Sequence, residues 1–222
     1  MTPRRFVIPD VHGCALTLER LLDRHLQLQK QDRLYFLGDL INRGARSREV
    51  LELIFDLIRR SFIVYCIRGN HEQMLLDACD TIEAFPLWLI NGGYATLDSF
   101  NAHAPGDIPD RYLYFIASFP YYIELNDFIL VHGSLNLDIP DPFTDTAAML
   151  WGRNTPINLS RLTNRRIICG HTPYPVPVIK DSLKAEIITL DNGCVLRENS
   201  SLGGLTGLEL NSMDLVLQEN VD

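Results

Sequence analysis

The sequence lacks three features that would each indicate a particular class of protein. Its 222 residues contain no apolar run close to the roughly 18 residues of a membrane helix, and residues 1–10 have no signal-peptide core. Its five cysteines show no paired spacing, which is typical of reduced thiols rather than of a disulfide framework. Its 20 basic residues are outnumbered by 28 acidic ones, so the dense basic surface that binds a nucleic-acid backbone is missing. We therefore expect a cytoplasmic protein that binds neither a membrane nor nucleic acid.

The first third of the chain alternates short apolar runs with amphipathic segments. With 46% hydrophobic residues the chain can bury a sizeable core, and we expect one domain over residues 1–222. Apolar runs at 6–8, 34–37 and 62–67 predict strands. Leucines at helical spacing predict a helix over 15–25, and Ser47 is expected to cap the next helix. This β-α-β-α-β-α order is typical of a layered α/β fold.

The remainder of the chain contains more strands and one irregular segment. Residues 81–119 predict a small helical insertion or lid, and Asn126-Asp127 predicts a two-residue hairpin turn between strands at 121–125 and 128–131. Further strands are expected at 166–169 and 186–190, the run 172–177 should be extended, and 202–222 should complete a sheet. We predict an α/β protein with a two-sheet β-sandwich flanked by α-helices.

Polar side chains follow five of the predicted strands at the point where each strand ends. Taken singly, such a histidine or aspartate is more often a structural residue that caps a helix or forms a turn. Five strand ends that all supply oxygen or imidazole ligands are hard to explain in that way, because open α/β sheets bind ligands at this edge. The residues are Asp10 with His12, Asp39, Asn70 with His71, His132 and His171.

The ligand types indicate which metals would bind there. Carboxylate and amide oxygens with imidazole, and no thiolate, suit Mn, Fe or Zn, and we expect Mn. There are too many ligands for one ion, so two ions about 3.5–4 Å apart are predicted, with Asp39 as the natural bridge. Two dications outweigh Asp10, Asp39 and a bridging hydroxide, which leaves a positive site for a phosphate. Arg43 can add a bidentate clamp.

The ordered motifs resemble those of a known family. Asp10-Val-His-Gly13, Gly38-Asp-Leu-Ile-Asn-Arg-Gly44, Gly69-Asn-His-Glu72, His132-Gly133 and Gly170-His171 resemble the phosphoprotein phosphatase family of calcineurin-like metallophosphoesterases. Two further stretches, Trp88-Leu-Ile-Asn-Gly-Gly93 and Trp151-Gly-Arg153, resemble the compact bacterial and phage members. The resemblance covers roughly the whole chain, and it implies a metal-dependent serine/threonine phosphatase that uses a metal-bound hydroxide without a covalent phosphoenzyme.

The resemblance also implies a role for each motif residue. The first metal would be held by Asp10, His12 and Asp39, and the second by Asp39, Asn70, His132 and His171. His71 would be the general acid for the leaving oxygen, oriented by Asn42. Arg43 and Arg153 would bind the phosphate oxygens, and the substrate would also contact Asn70 and His71.

Two residues depart from the family pattern. Pro9 stands where the family has glycine, which should constrain the loop but keep both neighbouring ligands. Asn42 stands where the protein phosphatases have an aspartate that stabilises the protonated catalytic histidine. Asn42 is still expected to accept a hydrogen bond from His71, but without charge, which should lower the pKa of His71 and weaken general-acid catalysis.

Three functions follow from this pattern. The favoured one is a phosphomonoesterase of the protein serine/threonine phosphatase type, acting on a phosphorylated protein or small phosphate ester. The second is a symmetrical diadenosine tetraphosphate hydrolase, because those relatives also depart at the position of Asn42, whereas Glu72 and Arg43 favour the phosphatases. The third is a metal-binding scaffold with residual turnover, which the complete ligand set argues against.

Overall fold

The computed structural model describes residues 3–153, 160, 164–198 and 201–222. In chain order the strands are β1 (Arg5–Ile8), β2 (Arg33–Phe36), β3 (Ile63–Cys66), β4 (Tyr122–Glu124), β5 (Phe128–Val131), β6 (Arg166–Cys169), β7 (Ile187–Thr189), β8 (Gly204–Glu209) and β9 (Asp214–Glu219). The α-helices are α1 (Ala15–Arg20), α2 (Ser47–Arg59), α3 (Asn70–Asp80), α4 (Phe85–Trp88), α5 (Tyr94–Phe100), α6 (Asp110–Ala117), α7 (Thr146–Trp151) and α8 (Val176–Ser182). Leu21–Leu26 and Leu89–Gly93 form π-helical turns that extend α1 and α4.

The strands form two mixed sheets. The first has the order β3-β2-β1-β8-β9, in which β1, β2 and β3 run parallel and β8 and β9 are antiparallel. The second has the order β4-β5-β6-β7, in which β5, β6 and β7 run parallel. The prediction that the end of the chain completes a sheet is confirmed, because β8 pairs directly with β1.

The two sheets pack face to face, and helices cover the first sheet. Successive residues of a strand point to opposite faces, so β1 places Val7 in one core and Ile8 in the other. Val7 packs with Leu130 of β5 and Ile168 of β6 between the sheets. Ile8 packs with residues of α1 and α2 beneath the helices. Both faces of β1 are buried, which is why the strand has no polar residue between Phe6 and Ile8. The predicted α/β two-sheet architecture is confirmed.

Two local predictions are wrong. The residue before α2 is Arg46, and Ser47 is the first helical residue, so its hydroxyl does not cap the helix. The segment 172–177 is not wholly extended, because α8 begins at Val176 with Pro177 in its first turn, where a missing backbone N–H costs no hydrogen bond. The hairpin prediction is confirmed: Leu125 N donates to Phe128 O at 2.8 Å across the two-residue turn.

The segment 81–119 contains several helices, and it packs against the body of the protein. It comprises α4, α5 and α6, and it buries Trp88, Tyr112 and Ile116 in the core that also holds residues of α2 and α3. Within the described ranges, no helix is long and apolar enough to span a membrane. That residues 1–222 form one domain, and that the insertion acts as a lid, stay predictions.

Candidate dinuclear metal site

The five predicted strand ends converge on one site, because the parallel strands of each sheet end at the same edge. The loop after β1 supplies Asp10 and His12, and the loop after β2 supplies Asp39. Helix α3 begins at Asn70, directly after the loop that follows β3. The second sheet adds His132 after β5 and His171 after β6. All of these side chains are buried except that of His171, which is half-buried.

The two carboxylates are oriented by backbone N–H groups. Asp39 Oδ1 accepts from His71 N at 3.0 Å, and Asp10 Oδ1 accepts from His171 N at 2.9 Å. A Cβ at Gly69 or Gly170 would collide with these same oxygens, so glycine is required at both positions. One oxygen of each carboxylate is therefore held by the backbone, and its Oδ2 is left to face the centre of the site.

Asp39 Oδ2 lies at the centre of the cluster. It is 3.5 Å from His12 Nε2, 3.5 Å from His132 Nε2 and 3.8 Å from His71 Nε2. These separations are long for hydrogen bonds, but they are the size expected between two ligands of one ion with metal–ligand bonds of about 2.0–2.2 Å. Asp39 belongs to two groups whose ligand atoms all lie within 4.8 Å of one another, one with His12 and His71 and one with His132 and His171.

The histidine rings are oriented by hydrogen bonds on their outer nitrogens. His12 Nδ1 lies 3.0 Å from Ile41 O, and His132 Nδ1 lies 2.8 Å from Leu37 O. A carbonyl oxygen only accepts, so Nδ1 carries the proton in both rings and each Nε2 directs a lone pair inward, as metal-ligating histidines do. Asn70 Oδ1 lies 2.9 Å from His132 Nε2 and 3.0 Å from His171 Nδ1, which places it between the two rings.

Two atoms at the site test whether it fits a cation. Among the described residues, Asp10 Oδ2 and His171 Nε2 are buried and have no hydrogen-bond partner. An unpartnered buried carboxylate oxygen costs free energy unless a cation or a proton binds it. The donor set of carboxylate, amide oxygen and imidazole is the set that Mn, Fe and Zn accept. The residues present therefore fit a pair of divalent ions.

The electrostatics of the protein alone oppose the charged forms of these groups. Burial, followed by the charge of Asp191, raises the pKa of Asp10 well above its usual range. Burial, followed by the charge of Glu72, raises the pKa of Asp39 in the same way. Burial also lowers the pKa of His12, and it lowers the pKa of His171 to about 3. Bound cations would favour the carboxylate and the neutral imidazole, which are the forms that act as ligands.

The two predicted phosphate-binding arginines lie close to the metal-ligand groups. Arg43 Nη1 donates to His12 Nε2 at 2.6 Å. Arg153 is exposed just after α7, and its charge contributes to lowering the pKa of His171. The position of α7 is set by backbone hydrogen bonds to the loop that follows β5, from Gly133 N to Met149 O at 2.7 Å and from Ser134 N to Ala148 O at 3.1 Å.

The structure also places the two residues that depart from the family pattern. Pro9 is buried, and the loop after it is held by Val11 N and His12 N, which donate to Asp39 O at 3.0 and 2.8 Å. Asn42 Nδ2 lies 2.9 Å from His71 Nδ1, so the amide donates to the ring rather than accepting from it as we expected. The pKa of His71 is lowered, with burial as the largest cause and neighbouring positive groups adding to it, and a contribution from the uncharged Asn42 stays a prediction.

Three residues near the site were not identified from the sequence as supporting it. Glu72 accepts from Asp39 N at 2.7 Å, Leu40 N at 2.8 Å and Gly69 N at 2.9 Å, which fixes the loop after β2 against α3. Its position three residues after Gly69 is the signal of a capping box. Asp191 is also buried, in an Asp-Asn-Gly stretch that is equally typical of a tight turn. It accepts from Gly193 N at 2.6 Å, and its charge raises the pKa of Asp10. Thr96 contacts Asn42, and no sequence signal connects the two.

Comparisons with known proteins agree with this geometry. Residues 3–195 match the family model described as calcineurin-like phosphoesterase. The chain is 43% identical over 89 residues to a serine/threonine-protein phosphatase 1 of Salmonella typhimurium, a segment covering 40% of this chain and 38% of that protein. It is 41% identical over 78 residues to a symmetrical bis(5'-nucleosyl)-tetraphosphatase of Pseudomonas fluorescens, a segment covering 35% of this chain and 26% of that protein. The matched segments thus span well under half the length of both relatives.

Solved structures share the fold over the whole chain. A protein serine/threonine phosphatase from Saccharomyces cerevisiae superposes with a TM-score of 0.72 at 17% identity, covering 100% of this chain and 81% of that one. A candidate diadenosine tetraphosphatase superposes with a TM-score of 0.66 at 20% identity, and the superposition covers 100% of this chain and 96% of that one. At these identities the likeness concerns the fold alone. Because the family model spans most of the sequence and the site has the expected ligands, the chain belongs to the calcineurin-like phosphoesterase family.

Proposed function

We propose that the protein is a metal-dependent phosphomonoesterase of the protein serine/threonine phosphatase type. The observation that carries this proposal is the position of Asp39 Oδ2, which lies 3.5 Å from His12 Nε2 and 3.5 Å from His132 Nε2, and so between ligands of the two predicted ions. A carboxylate in that position suits a bridge between two ions. Asp10 and His12 would complete the first ion's set, and Asn70, His132 and His171 the second's. When bound, the ions would supply an activated water and stabilise charge on the phosphate.

The residues around the ions would bind and orient the substrate. The Arg43 guanidinium lies at the edge of the site and can donate two parallel hydrogen bonds to phosphate oxygens. Arg153 would add a second positive charge from the side of the second sheet. His71 Nε2, 3.8 Å from Asp39 Oδ2, faces the site and would donate to the leaving oxygen. The preference for manganese and the cytoplasmic location, both predicted from the sequence, stay predictions.

A second candidate is symmetrical hydrolysis of diadenosine tetraphosphate. Asn42 favours it, because it donates to His71 and brings no negative charge to the ring. A neutral ring favours leaving groups that depart without full protonation, and a nucleoside diphosphate is such a group. The partial match to the Pseudomonas fluorescens tetraphosphatase also supports this candidate. A scaffold that binds metal without turnover is the third candidate, and the same ligand geometry argues against it.

The experiment that tests the proposal compares three substrates with manganese present. These are a phosphoserine/phosphothreonine peptide, p-nitrophenyl phosphate and diadenosine tetraphosphate. A His71→Asn variant should lose about 100-fold or more in kcat if His71 assists the leaving group. A His103→Asn variant is the matched control, because His103 is exposed on the helical insertion.

Each outcome favours one candidate. Phosphate released from the peptide, and lost in His71→Asn but not in His103→Asn, supports the phosphatase. ADP released from the dinucleotide with little turnover of the peptide supports the second candidate. Metal binding without turnover of any of the three substrates leaves the scaffold.

A further inference from the structure

The helical insertion forms hydrogen bonds with the loop between β2 and α2 at two points. Arg43 N donates to Gly92 O at 3.1 Å, and Asn42 N donates to Thr96 Oγ1 at 2.9 Å. Asn42 and Arg43 both have left-handed backbone conformations, with φ of 70° and 68°. Such conformations cost free energy in residues other than glycine and persist where surrounding contacts hold them. The insertion therefore helps to hold the loop that carries these two side chains.

Thr96 is completely buried, and its hydroxyl group makes hydrogen bonds with Asn42 and with Ser47, the first residue of α2. Its Oγ1 lies 2.7 Å from Asn42 Oδ1, 2.9 Å from Asn42 N and 3.0 Å from Ser47 Oγ. Ser47 Oγ also lies 3.0 Å from Asn42 N. The side-chain amide of Asn42 is thus bound at its oxygen end by Thr96 and at its nitrogen end by His71.

Counting the protons determines which way the amide faces. The Asn42 N–H donates to the hydroxyl oxygens of both Thr96 and Ser47. Each hydroxyl is an acceptor in that hydrogen bond and still needs an acceptor for its own proton. If Thr96 donates to Asn42 Oδ1, Ser47 donates to Thr96 and both hydroxyl protons have an acceptor. If the amide is reversed, Thr96 must donate to Ser47. The Ser47 proton then has no acceptor among the hydrogen bonds of the described residues. The first arrangement is favoured, because buried donors are almost always satisfied.

We propose that Thr96 is a positioning residue for His71, acting through Asn42. Its hydroxyl holds Asn42 Oδ1, so that Asn42 Nδ2 donates to His71 Nδ1. The neutral ring must then carry its proton on Nε2, the nitrogen that faces the metal-ligand groups and the leaving oxygen. The last step rests on the proposed function of His71. The position of the ring proton does not, and it can be measured without turnover. The role assigns a function to the insertion at 81–119, which supplies Thr96 from α5.

The direct test is the location of the ring proton, read by long-range ¹H–¹⁵N correlation NMR on the zinc-loaded 222-residue chain. The His71 signals are assigned by comparison with His71→Asn. In the wild type we expect the proton on Nε2. In Asn42→Asp the carboxylate accepts from both Thr96 and the ring, so the proton should move to Nδ1. A wild-type proton on Nδ1, or no difference between the two proteins, overturns the proposal even if the protein hydrolyses no phosphate ester.

The second test removes the hydroxyl while keeping the shape of the side chain. Thr96→Val should mix the two ring tautomers and lower kcat about tenfold for alkyl phosphates, with a smaller loss for p-nitrophenyl phosphate and an unchanged KM. Thr96→Ser restores the hydroxyl, so it should restore both the proton on Nε2 and the wild-type kcat. Thr206→Val is the matched control, because Thr206 is equally buried but its hydroxyl donates to Leu190 O.

The variants distinguish positioning from folding. If Thr96→Val does not fold, Thr96→Ser and Asn42→Asp still report the ring proton. Equal losses in Thr96→Val and Thr96→Ser, or equal losses on good and poor leaving groups, would contradict the positioning role.

Discussion

Carboxylates gather in two regions of this molecule, and the two regions differ in burial. The first is the metal cradle, defined by Asp10, His12, Asp39, Asn70, His132 and His171. The second is an outer cleft of about 400 Å³ between the α1 segment, α2 and β3, where Glu19, Asp23 and Asp56 surround an apolar floor that includes Leu22 and Phe62. The outer cleft is a large depression, but its carboxylates are exposed or paired with arginines.

The pKa directions show the consequence of that difference. In the metal cradle burial raises the pKa of Asp10 and Asp39, and Asp10 Oδ2 has no hydrogen-bond partner among the described residues. In the outer cleft the guanidinium groups of Arg60 and Arg59 lower the pKa of Asp56. A group held in an unfavourable state by the protein is a better indication of a ligand than the size of a depression.

The largest effect is expected from Asp39→Asn. The amide cannot bridge two ions, so we expect turnover to fall roughly 10³-fold or more and bound metal to fall below two ions per chain. Metal content by mass spectrometry and turnover of p-nitrophenyl phosphate measure this. Asp32→Asn is the control: Asp32 is also buried but pairs with Arg4, so this variant should lose stability and retain its metal. If Asp39→Asn still bound two ions per chain, Asp39 would not be the bridging ligand, and the distinction between the metal cradle and the outer cleft would fail.

A smaller effect is expected when the phosphate clamp is removed. Arg43→Ala should raise KM for p-nitrophenyl phosphate about tenfold to 100-fold, because a charge-assisted bidentate contact is lost next to the metals. Initial-rate kinetics measure this, with Arg24→Ala on the exposed surface as the control. An unchanged KM in Arg43→Ala would place phosphate recognition on Arg153 instead.

The third effect concerns stability. Burial raises the pKa of Asp191 from 3.8 to about 6. Between pH 4 and pH 6 the folded state therefore keeps a proton on Asp191 that the unfolded state has released. The contribution of Asp191 to the stability of the metal-free chain therefore falls as pH rises from about 4 to about 6. Asp191→Asn keeps an acceptor for Gly193 N without the charge. It should raise the Tm of the chelator-treated protein by a few degrees above pH 6 and hardly change it at pH 4. Melting curves from pH 4 to 8 measure it, and an equal change at both ends would contradict it.

The smallest effect is expected in the outer cleft. Asp23 is exposed there, so Asp23→Asn should change the free energy of unfolding by less than about 0.5 kcal/mol and leave turnover and metal content unchanged. Denaturant unfolding and the same turnover assay measure this. A loss of activity in Asp23→Asn would show that the two regions are coupled, contrary to the distinction drawn here.

Much of the fold and of the candidate site could be predicted from local patterns. Apolar runs located most of the strands, and the segments of one to four residues after them included every member of the metal cradle. This works because the residues that follow parallel strands lie at the carboxyl edge of the sheet, whatever the sequence of the rest of the chain. The predictions for Ser47 and for the segment 172–177 were wrong. A hydroxyl near a helix start can cap the helix or lie within its first turn, and a proline can lie in an extended segment or in the first turn of a helix.

The sequence by itself determined which residues would meet: Asp10, Asp39, His132 and their partners each follow a strand, and strand order and direction bring them together. Only the tertiary structure decided how they are oriented. Asp39 Oδ2 faces the centre because a backbone N–H from another loop holds Oδ1, and Asn42 faces His71 with its donor because Thr96, 54 positions away, holds its oxygen. A hydrogen bond between residues distant in sequence leaves no local pattern, since its geometry depends on the packing of whole elements.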